Sequence, residues 1–274
     1  MQKMPNEIEI SFIIVNYRSE RYLKKCVASL FNKTKNISFE IIIVNNDKND
    51  LKPFSAEIKR ETEENAESLK IINAGKNLGF GRANNIGAKK AKGNFLCFLN
   101  PDTLLISENI GEIIKEFKKN SEIGAIGPRL ISEFNKTQWW CAGVEITLWD
   151  LIKNNLGIIK SRKIWESQVK KEADWVSGAA LFVPRPLFLK LGGFDESFFM
   201  YFEDIDLCKR IKKLGKRVIY FPGVKVRHWG GKSRLNKSEQ KKEYYKSQDY
   251  YFRKHYGKLI SWLARILRKF AVRA

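Results

Sequence analysis

"ISFIIVNYRSERYLKKCVASLFNKT", residues 10–34, decides the fold. Its first part, "ISFIIVNY" (10–17), is an unbroken β-branched and aromatic run, the pattern of a strand buried in a parallel sheet. In the part that follows, Leu23, Val27, Leu30 and Phe31 recur at helical spacing, and Ser19 can cap the helix start. Strands and helices go on alternating. "FEIIIVNN" (39–46) reads as a second strand, and a helix is expected over about 55–66. "SLKIINA" (68–74) reads as a third strand. "GFGRANNIGAKKAKG" (79–93) is a Gly-rich turn feeding a helix that stops at Gly93, and "NFLCFLNPD" (94–102) is a fourth strand. This alternation predicts an α/β, Rossmann-like domain with a mostly parallel sheet and flanking helices. Ligands of such sheets bind at the carboxyl ends of the strands. Those ends are polar here, Asn16–Tyr17, Asn45–Asn46 and Asn100–Pro101–Asp102, as a nucleotide pocket requires.

Beyond residue 106 the pattern predicts a helix over 107–119, a strand over 124–131 and an irregular, Trp-rich stretch over 132–173. "ADWVSGAALFVPR" (173–185) resumes β character. A helix over about 186–191, a second ending near 214, a strand "KRVIYFPG" (216–223) and a last polar loop "VKVRHWGGKS" (224–233) follow.

The 274 residues carry 51 Lys and Arg against 30 Asp and Glu, a formal charge of +21. Residues 225–274 hold fifteen Lys/Arg and three Asp/Glu, a net of +12. Such a balance implies a polyanionic partner: nucleic acid, an anionic membrane or a phosphorylated substrate. Cys26, Cys97, Cys141 and Cys208 form no C-x-x-C pair and read as reduced core thiols of a cytoplasmic protein. The N-terminal apolar run is too short and too acid-flanked for a signal peptide. No segment has the ~18 to 20 apolar residues that a spanning helix needs.

Against this charge, "MYFEDIDLCKR" (200–210) gathers Glu203, Asp204 and Asp206 among large apolar residues. An acid near a helix start is stabilised by the dipole, which accounts for one or two of the three. An acid with apolar neighbours has its ionised form desolvated, and its pKa rises toward the range of a general base. Asp102, just past a strand, suits a divalent cation shared with a diphosphate, and equally a turn that caps the next helix. "GFGRANN" is only a partial dinucleotide fingerprint, with Asn84 in place of the third glycine. Asn84 and Asn85 stand at a helix start, where a sugar or phosphate can be bound. His228 lies in "RHWGGKS", either beside a ligand that the glycines let approach or on a surface loop.

Together, "SFIIVNYRS", "FEIIIVNNDKND", "NLGFGRANNIGAKKAKG", "FLNPD", "WVSGAALFVPR", "GGFDESFFMYFEDIDLCKR" and "HWGGKS" resemble, in order, the family 2 inverting glycosyltransferases of GT-A fold, in particular the rhamnosyltransferase-like branch. The resemblance spans about residues 9–260. It implies Asp204 as catalytic base, with Glu203, Asp195 and Trp175 in support on the acceptor side. It implies Tyr17 stacked on the nucleobase, and Asn45, Asn46, Gly79, Asn84, Asn85 and Gly178 on the donor. It implies Asp102 and His228 as ligands of Mg2+ or Mn2+. The chain departs from the family pattern at Asn45, where Asp is usual, at Arg18, where Asn is usual, and at Asn100, which removes one carboxylate of the D-x-D motif.

The implied function is transfer of a sugar from a nucleotide-diphosphate donor, dTDP-rhamnose before UDP-hexoses, to a glycan acceptor on a polyprenyl diphosphate. The expected organisation is a catalytic domain over 1–235, with donor half 1–105 and acceptor half 106–235, and a basic amphipathic helical tail over 236–274. In that tail Tyr256, Leu259, Ile260, Leu263, Ile266, Leu267 and Phe270 make one apolar stripe away from seven cations. Residues 253–274 are therefore expected to dock on an anionic membrane surface, at the inner face of the cell membrane. A sugar nucleotidyltransferase would want a Lys-bearing phosphate loop after the first strand, and "NYRSERY" is not one. A nucleic-acid-binding module fits the basic tail and its aromatic residues but not the buried acids, so no nucleic-acid partner is expected.

Overall fold

The computed structural model of the chain describes residues 7–49, 51, 54, 68–230 and 237–271, the side chains of 155, 237 and 269–271 excepted. β1 (Ile10–Asn16) is buried at every position, as an unbroken apolar run must be when both faces are covered. α1 (Glu20–Lys33) puts Leu23, Cys26, Val27 and Leu30 into the core. Ser19 occupies its N-cap position without capping it; the hydroxyl donates to Asn16 Oδ1 at 2.9 Å instead. β2 (Phe39–Asn45), β3 (Leu69–Asn73) and, after α2 (Phe80–Lys90), β4 (Phe95–Leu99) complete a parallel set in the spatial order β3-β2-β1-β4. The chain runs outward from β1 through β2 to β3, then returns to the other side of β1. This reversal opens a crevice at the carboxyl ends of β1 and β4. The helix expected over 55–66 lies outside the described residues.

The second half comprises β5 (Thr103–Leu105), α3 (Gly111–Lys119), β6 (Ile123–Ile131), β7 (Ala142–Gly143), α4 (Leu148–Asn155), α5 (Arg162–Trp165), β8 (Lys171–Ala173), β9 (Trp175–Val176), β10 (Ala180–Pro184), α6 (Arg185–Lys190), α7 (Glu203–Lys213) and β11 (Arg217–His228). Among the described residues the central sheet has nine strands, extended from β4 through β10, β6 and β11 to β5, with β8 on β11. β10 runs antiparallel to β4 and pairs Ala180 with Leu99, so the turn before β10 lies at the crevice. The stretch expected to be irregular, 132–173, holds β7, α4, α5 and β8.

A second correction falls on "VKVRH" (224–228), read from the sequence as loop. It is strand: buried Val224 and Val226 alternate with exposed Gly223 and Lys225 and half-buried Arg227, the alternation of a half-covered strand. β11 pairs His228 with Thr103 of β5, and the Trp229 N–H donates to the Asp102 carbonyl at 3.1 Å. Strand pairing thus brings two residues 126 positions apart to one corner of the crevice.

The tail helix, α8 (Lys237–Ala271), breaks at Gly257, where φ is 90°. Its two arms fold back on one another: the Ser261 hydroxyl donates to the Asp249 carbonyl at 2.9 Å, and Arg268 reaches the Tyr245 carbonyl and the Asp249 carboxylate. Tyr251, Phe252 and Ala264 are buried with Phe198 and Phe202 of the body, and Ile260 packs beside them. The continuous stripe expected of the tail is therefore divided. Leu259 and Trp262 are exposed, while Tyr256 donates to Glu145 at 2.6 Å. No described helix is long and apolar enough to cross a membrane. All four cysteines are buried and unpaired.

A buried carboxylate fastens the hairpin. Asp206 of α7 is 0% exposed. It accepts from Arg210 Nε at 2.7 Å, Lys254 Nζ at 2.6 Å and His255 Nε2 at 2.8 Å. Burial pushes its pKa up, but His255, Arg210 and Lys254 outweigh this and bring it below the ordinary value. Asp206→Asn keeps the volume and removes the buried charge that Arg210 and Lys254 face. We expect it to cost about 3–5 kcal/mol of unfolding free energy at pH 7, read by urea denaturation. A depressed folded pKa gives stability that is present above the unfolded value of about 3.9 and is lost as pH falls through the folded one. The gap between wild type and variant must therefore close in acid. A variant as stable as wild type at pH 7 refutes this account of the tail's attachment.

Candidate active site

The crevice is a cavity of about 810 Å3 lined from the carboxyl ends of β1 and β4, the turn before β10, the start of α7 and the tail hairpin. Its first end holds Tyr17, with the Arg18 guanidinium 5.2 Å from the ring centre. Asn16, Asn45 and Asn73 end β1, β2 and β3 in register. Their amides form a ladder: Asn16 Nδ2 donates to Asn45 Oδ1 at 3.1 Å, and Asn45 Nδ2 to Asn73 Oδ1 at 3.0 Å. Asn45 is thus spent on the sheet and does not line the cavity. Asn46 does, while its amide holds the glycine turn through the Leu78 N–H, Asn77 Oδ1 and the Gly79 carbonyl. Gly79 has φ +85°, and a Cβ there would lie 2.4 Å from the Phe199 carbonyl oxygen, so only glycine fits.

Asn84 and Asn85 stand behind this turn, outside the lining. Asn85 accepts from the Phe194 N–H and donates to the Phe194 carbonyl, both at 2.9 Å. Asn84 donates to the Phe80 carbonyl, and its Oδ1 is buried without a partner. Asp195 is likewise turned away. Lys254 and Tyr250 of the tail bind it at 2.7 and 2.9 Å. Against its burial, these partners and the Ser197 N–H hold its pKa at about 2.

Asp102 and His228 meet on the cavity floor, with His228 Nε2 3.4 Å from Asp102 Oδ1. Gln138 was not singled out in the sequence, and it fixes this histidine. Its Nε2 donates to the His228 carbonyl at 2.6 Å, and its Oε1 stands 2.9 Å from Nδ1. An amide oxygen only accepts, so Nδ1 carries the proton and Nε2 keeps its lone pair, facing Asn100 Nδ2 at 3.2 Å. A metal-binding histidine is oriented in this way. Among the described residues no three His, Cys, Asp or Glu gather to hold an ion. Two protein ligands and a diphosphate are nevertheless a sufficient set for a hard cation, so this corner fits one.

Glu203 and Asp204 stand where α7 begins, in the cavity wall. Tyr201 and Phe202 precede them with φ of 72° and 67°, a conformation that bulky residues seldom adopt. Phe198, Phe202 and Tyr251 share one buried cluster that holds it. Burial and then the Asp204 charge lift the Glu203 carboxyl well above the usual range, and its Oε2 has no partner. Both effects favour the protonated form of Glu203. Asp204 is half-buried. Burial raises its pKa too, opposed by N–H donors from Gly178 at 2.7 Å and Ile205 at 2.8 Å. Trp175 lines the cavity and donates its indole N–H to the Val144 carbonyl at 2.8 Å.

Of the residues singled out in the sequence, Tyr17, Asn46, Gly79, Asp102, Trp175, Gly178, Glu203, Asp204 and His228 share this one cavity. An α/β sheet with a nucleotide-sized crevice at its switch point and a desolvated carboxylate facing a cation corner describes a glycosyltransferase of GT-A type. Residues 11–170, more than half of the chain, match the Glycosyl transferase family 2. The chain belongs to that family. It is 26% identical over 229 residues to the rhamnosyltransferase WbbL of Escherichia coli (strain K12), across 80% of this chain and 83% of the relative. It is 27% identical over 239 residues to the N-acetylglucosaminyl-diphospho-decaprenol L-rhamnosyltransferase of Mycobacterium tuberculosis (strain ATCC 25618 / H37Rv), across 79% and 74%. The mannosyltransferase PcManGT of Pyrobaculum calidifontis, solved with GDP-Man and Mn2+, superimposes with a TM-score of 0.62 at 15% identity, over 91% of this chain and 64% of that longer one.

A Cβ on Gly178 would lie 3.3 Å from Asp204 Cβ and 3.4 Å from its Oδ2, tight enough to shift the carboxylate by a few tenths of an ångström and weaken its bond to the Gly178 N–H. That bond favours the ionised form. Asp204 is expected to titrate above the ordinary carboxylate range in wild type and higher still in Gly178→Ala, followed by carboxyl-carbon NMR. An unchanged titration in the variant contradicts the bond's role.

Proposed function

We propose that the chain transfers a sugar, with inversion, from a nucleotide-diphosphate donor to a hydroxyl of a lipid-linked glycan in cell-surface polysaccharide synthesis. dTDP-rhamnose is the first choice of donor and a UDP-hexose the second, in keeping with the rhamnosyltransferase relatives. The observation that carries the reading is Asp204, half-buried on the wall of the cavity that holds Tyr17 at one end and Asp102 with His228 on its floor. Tyr17 stacks on the base, and Asn46 and Gly79 flank the donor; Asn45, Asn84 and Asn85 set the backbone that carries them. The acceptor oxygen attacks the anomeric carbon while Asp204 takes its proton. The bond from that carbon to the diphosphate breaks on the opposite face, and the nucleoside diphosphate leaves with the electron pair. A raised pKa makes Asp204 a stronger base than an ordinary carboxylate.

Burial disfavours a second negative charge on Glu203 beside Asp204, and Trp175 borders the acceptor. Asp195 acts at one remove, through Lys254. Asp102 and His228 Nε2 would hold Mg2+ or Mn2+ against the donor diphosphate, as the Mn2+ in the mannosyltransferase neighbour encourages. Bound there, the ion supplies positive charge to the departing diphosphate.

Asp204→Asn is expected to lower transfer by about 10² to 10⁴-fold with nucleotide binding kept. Wild type is expected to lose turnover in EDTA. Turnover of the Asn variant within threefold of wild type would reject Asp204 as the base, on the scale of that expected loss.

We further propose that residues 253–274 rest on the anionic inner face of the cell membrane. Leu259 and Trp262 are exposed apolar side chains, with Arg253, Lys258 and Arg265 exposed on the same stretch. Each such cation near an anionic leaflet is worth about 1 kcal/mol. The chain should float with anionic vesicles at low salt, and Leu259→Glu/Trp262→Glu should remain in the soluble fraction. Equal flotation of both moves the contact elsewhere.

A further inference from the structure

The cavity does not end at Asp204. Past it, one wall is made by Ile146 and Leu151, and the other by both arms of the tail hairpin: Tyr244, Tyr245 and Gln248 from the first, Ala264, Leu267 and Arg268 from the second. A hairpin serving only to cover the body would close this space, and here it lines it. The walls are mostly apolar. Ile146, Leu151 and Ala264 belong to the same apolar cluster as Phe202. Tyr244 packs on Tyr201 and Phe202 with ring centres 5.6 and 5.3 Å apart, which joins the hairpin to the left-handed turn before Glu203.

One side chain lining this space, Arg268, is charged, and behind it stand Asp249 and Arg265. Asp249 lies between Arg265 Nε at 2.8 Å and Arg268 Nη2 at 2.6 Å, so one carboxylate answers two guanidinium groups and a net positive charge remains. Arg268 also donates from Nη1 to the Tyr245 carbonyl at 3.3 Å and stacks 4.4 Å from the Tyr245 ring centre. Its fork has five N–H donors, of which these bonds use two.

A free glycan is a poor occupant of such a space. Its many hydroxyls would lose water against Ile146, Leu151, Ala264 and Leu267 with few partners in return. An apolar chain with an anionic head matches both halves of the lining. The donor's own diphosphate is not the match, because its cation corner lies at Asp102 and His228.

Resting on the transfer reading above, we infer that the tail hairpin forms the acceptor's lipid seat, with a prenyl chain along Ile146, Leu151 and Leu267 and its diphosphate on Arg268. The tail then selects the acceptor as well as bracing the fold. A sugar attached to that diphosphate is carried toward Asp204 at the middle of the cavity.

The test uses the full chain saturated with dTDP or UDP, whichever binds, so that the donor end is filled. Farnesyl diphosphate, farnesol and inorganic diphosphate are then titrated by calorimetry. Farnesyl diphosphate should bind, and each of the other two should bind at least about tenfold more weakly: farnesol loses a charged hydrogen bond, and inorganic diphosphate loses the burial of the apolar chain. Leu267→Asp and, from the opposite wall, Ile146→Asp should each weaken farnesyl diphosphate by a similar factor. Arg268→Gln should bring farnesyl diphosphate down to the affinity of farnesol. Unchanged nucleotide affinity shows that the variants are folded. Displacement of farnesyl diphosphate by the nucleotide would place it in the donor end and overturn the inference. Folded variants that bind it as wild type does would overturn it too. Farnesyl diphosphate bound in the expected pattern by a chain that takes no nucleotide would uphold the seat and reject the transfer reading instead.

Discussion

A carboxylate with no access to water must keep its cations, and Asp206 keeps one from its own helix and one from the tail. Arg210 lies one turn further along α7, and Lys254 comes from the first arm of α8 with His255 beside it. Undoing either arrangement strands a buried charge. The tail therefore cannot leave the body without a large penalty. The three acids of "MYFEDIDLCKR" answer to three environments within four residues. Asp206 is paired and its pKa held down, Glu203 is buried with one carboxyl oxygen unpartnered and its pKa pushed up, and Asp204 stands at the cavity wall with two N–H donors opposing the rise.

The left-handed pair Tyr201 and Phe202 follows from the same constraint. Such conformations cost of order 1–3 kcal/mol each and persist only where the surroundings over-determine them. Phe202 is buried beneath Tyr251 and against Tyr244, and Lys254, one turn after Tyr251, is fixed on Asp206 and Asp195. The hairpin thus holds the strained turn closed, and the turn aims Glu203 and Asp204 at the cavity.

The first hundred residues were legible because their strands are buried on both faces. An unbroken apolar run has one reading, and polar residues at its end mark a crevice. The second half was less legible, because its elements exist through distant partners. β11 extends to His228 only because β5 and β6 receive it, although the alternation V-K-V-R was available as a signal. Gln138 carries no local sign of its task, which is to orient a histidine 90 positions away. The tail was read as one amphipathic helix because spacing records periodicity and not folding back. Gly257 was the visible sign of the break, and Asp249, the last acid of the chain, of the pairing across it.

Two of the three departures from the family pattern, Asn45 and Asn100, have a common physical form. Asn45 donates to the Asn49 carbonyl at 2.6 Å and to Asn73 Oδ1. A carboxylate there would face two acceptors with nothing to donate, so the asparagine follows from the asparagine ladder in this sheet. Asn100 donates toward His228 Nε2, a bond that a carboxylate makes only if Nε2 carries the proton. Gln138 has already drawn that proton to Nδ1. Asn100 and Gln138 are thus matched choices: together they keep the imidazole lone pair directed at the corner occupied by Asp102. Asn100, which lines the cavity, also leaves it one negative charge short of the family pattern. Asp102 and Asp204 stand in the described lining at the two places where the proposed transfer uses negative charge.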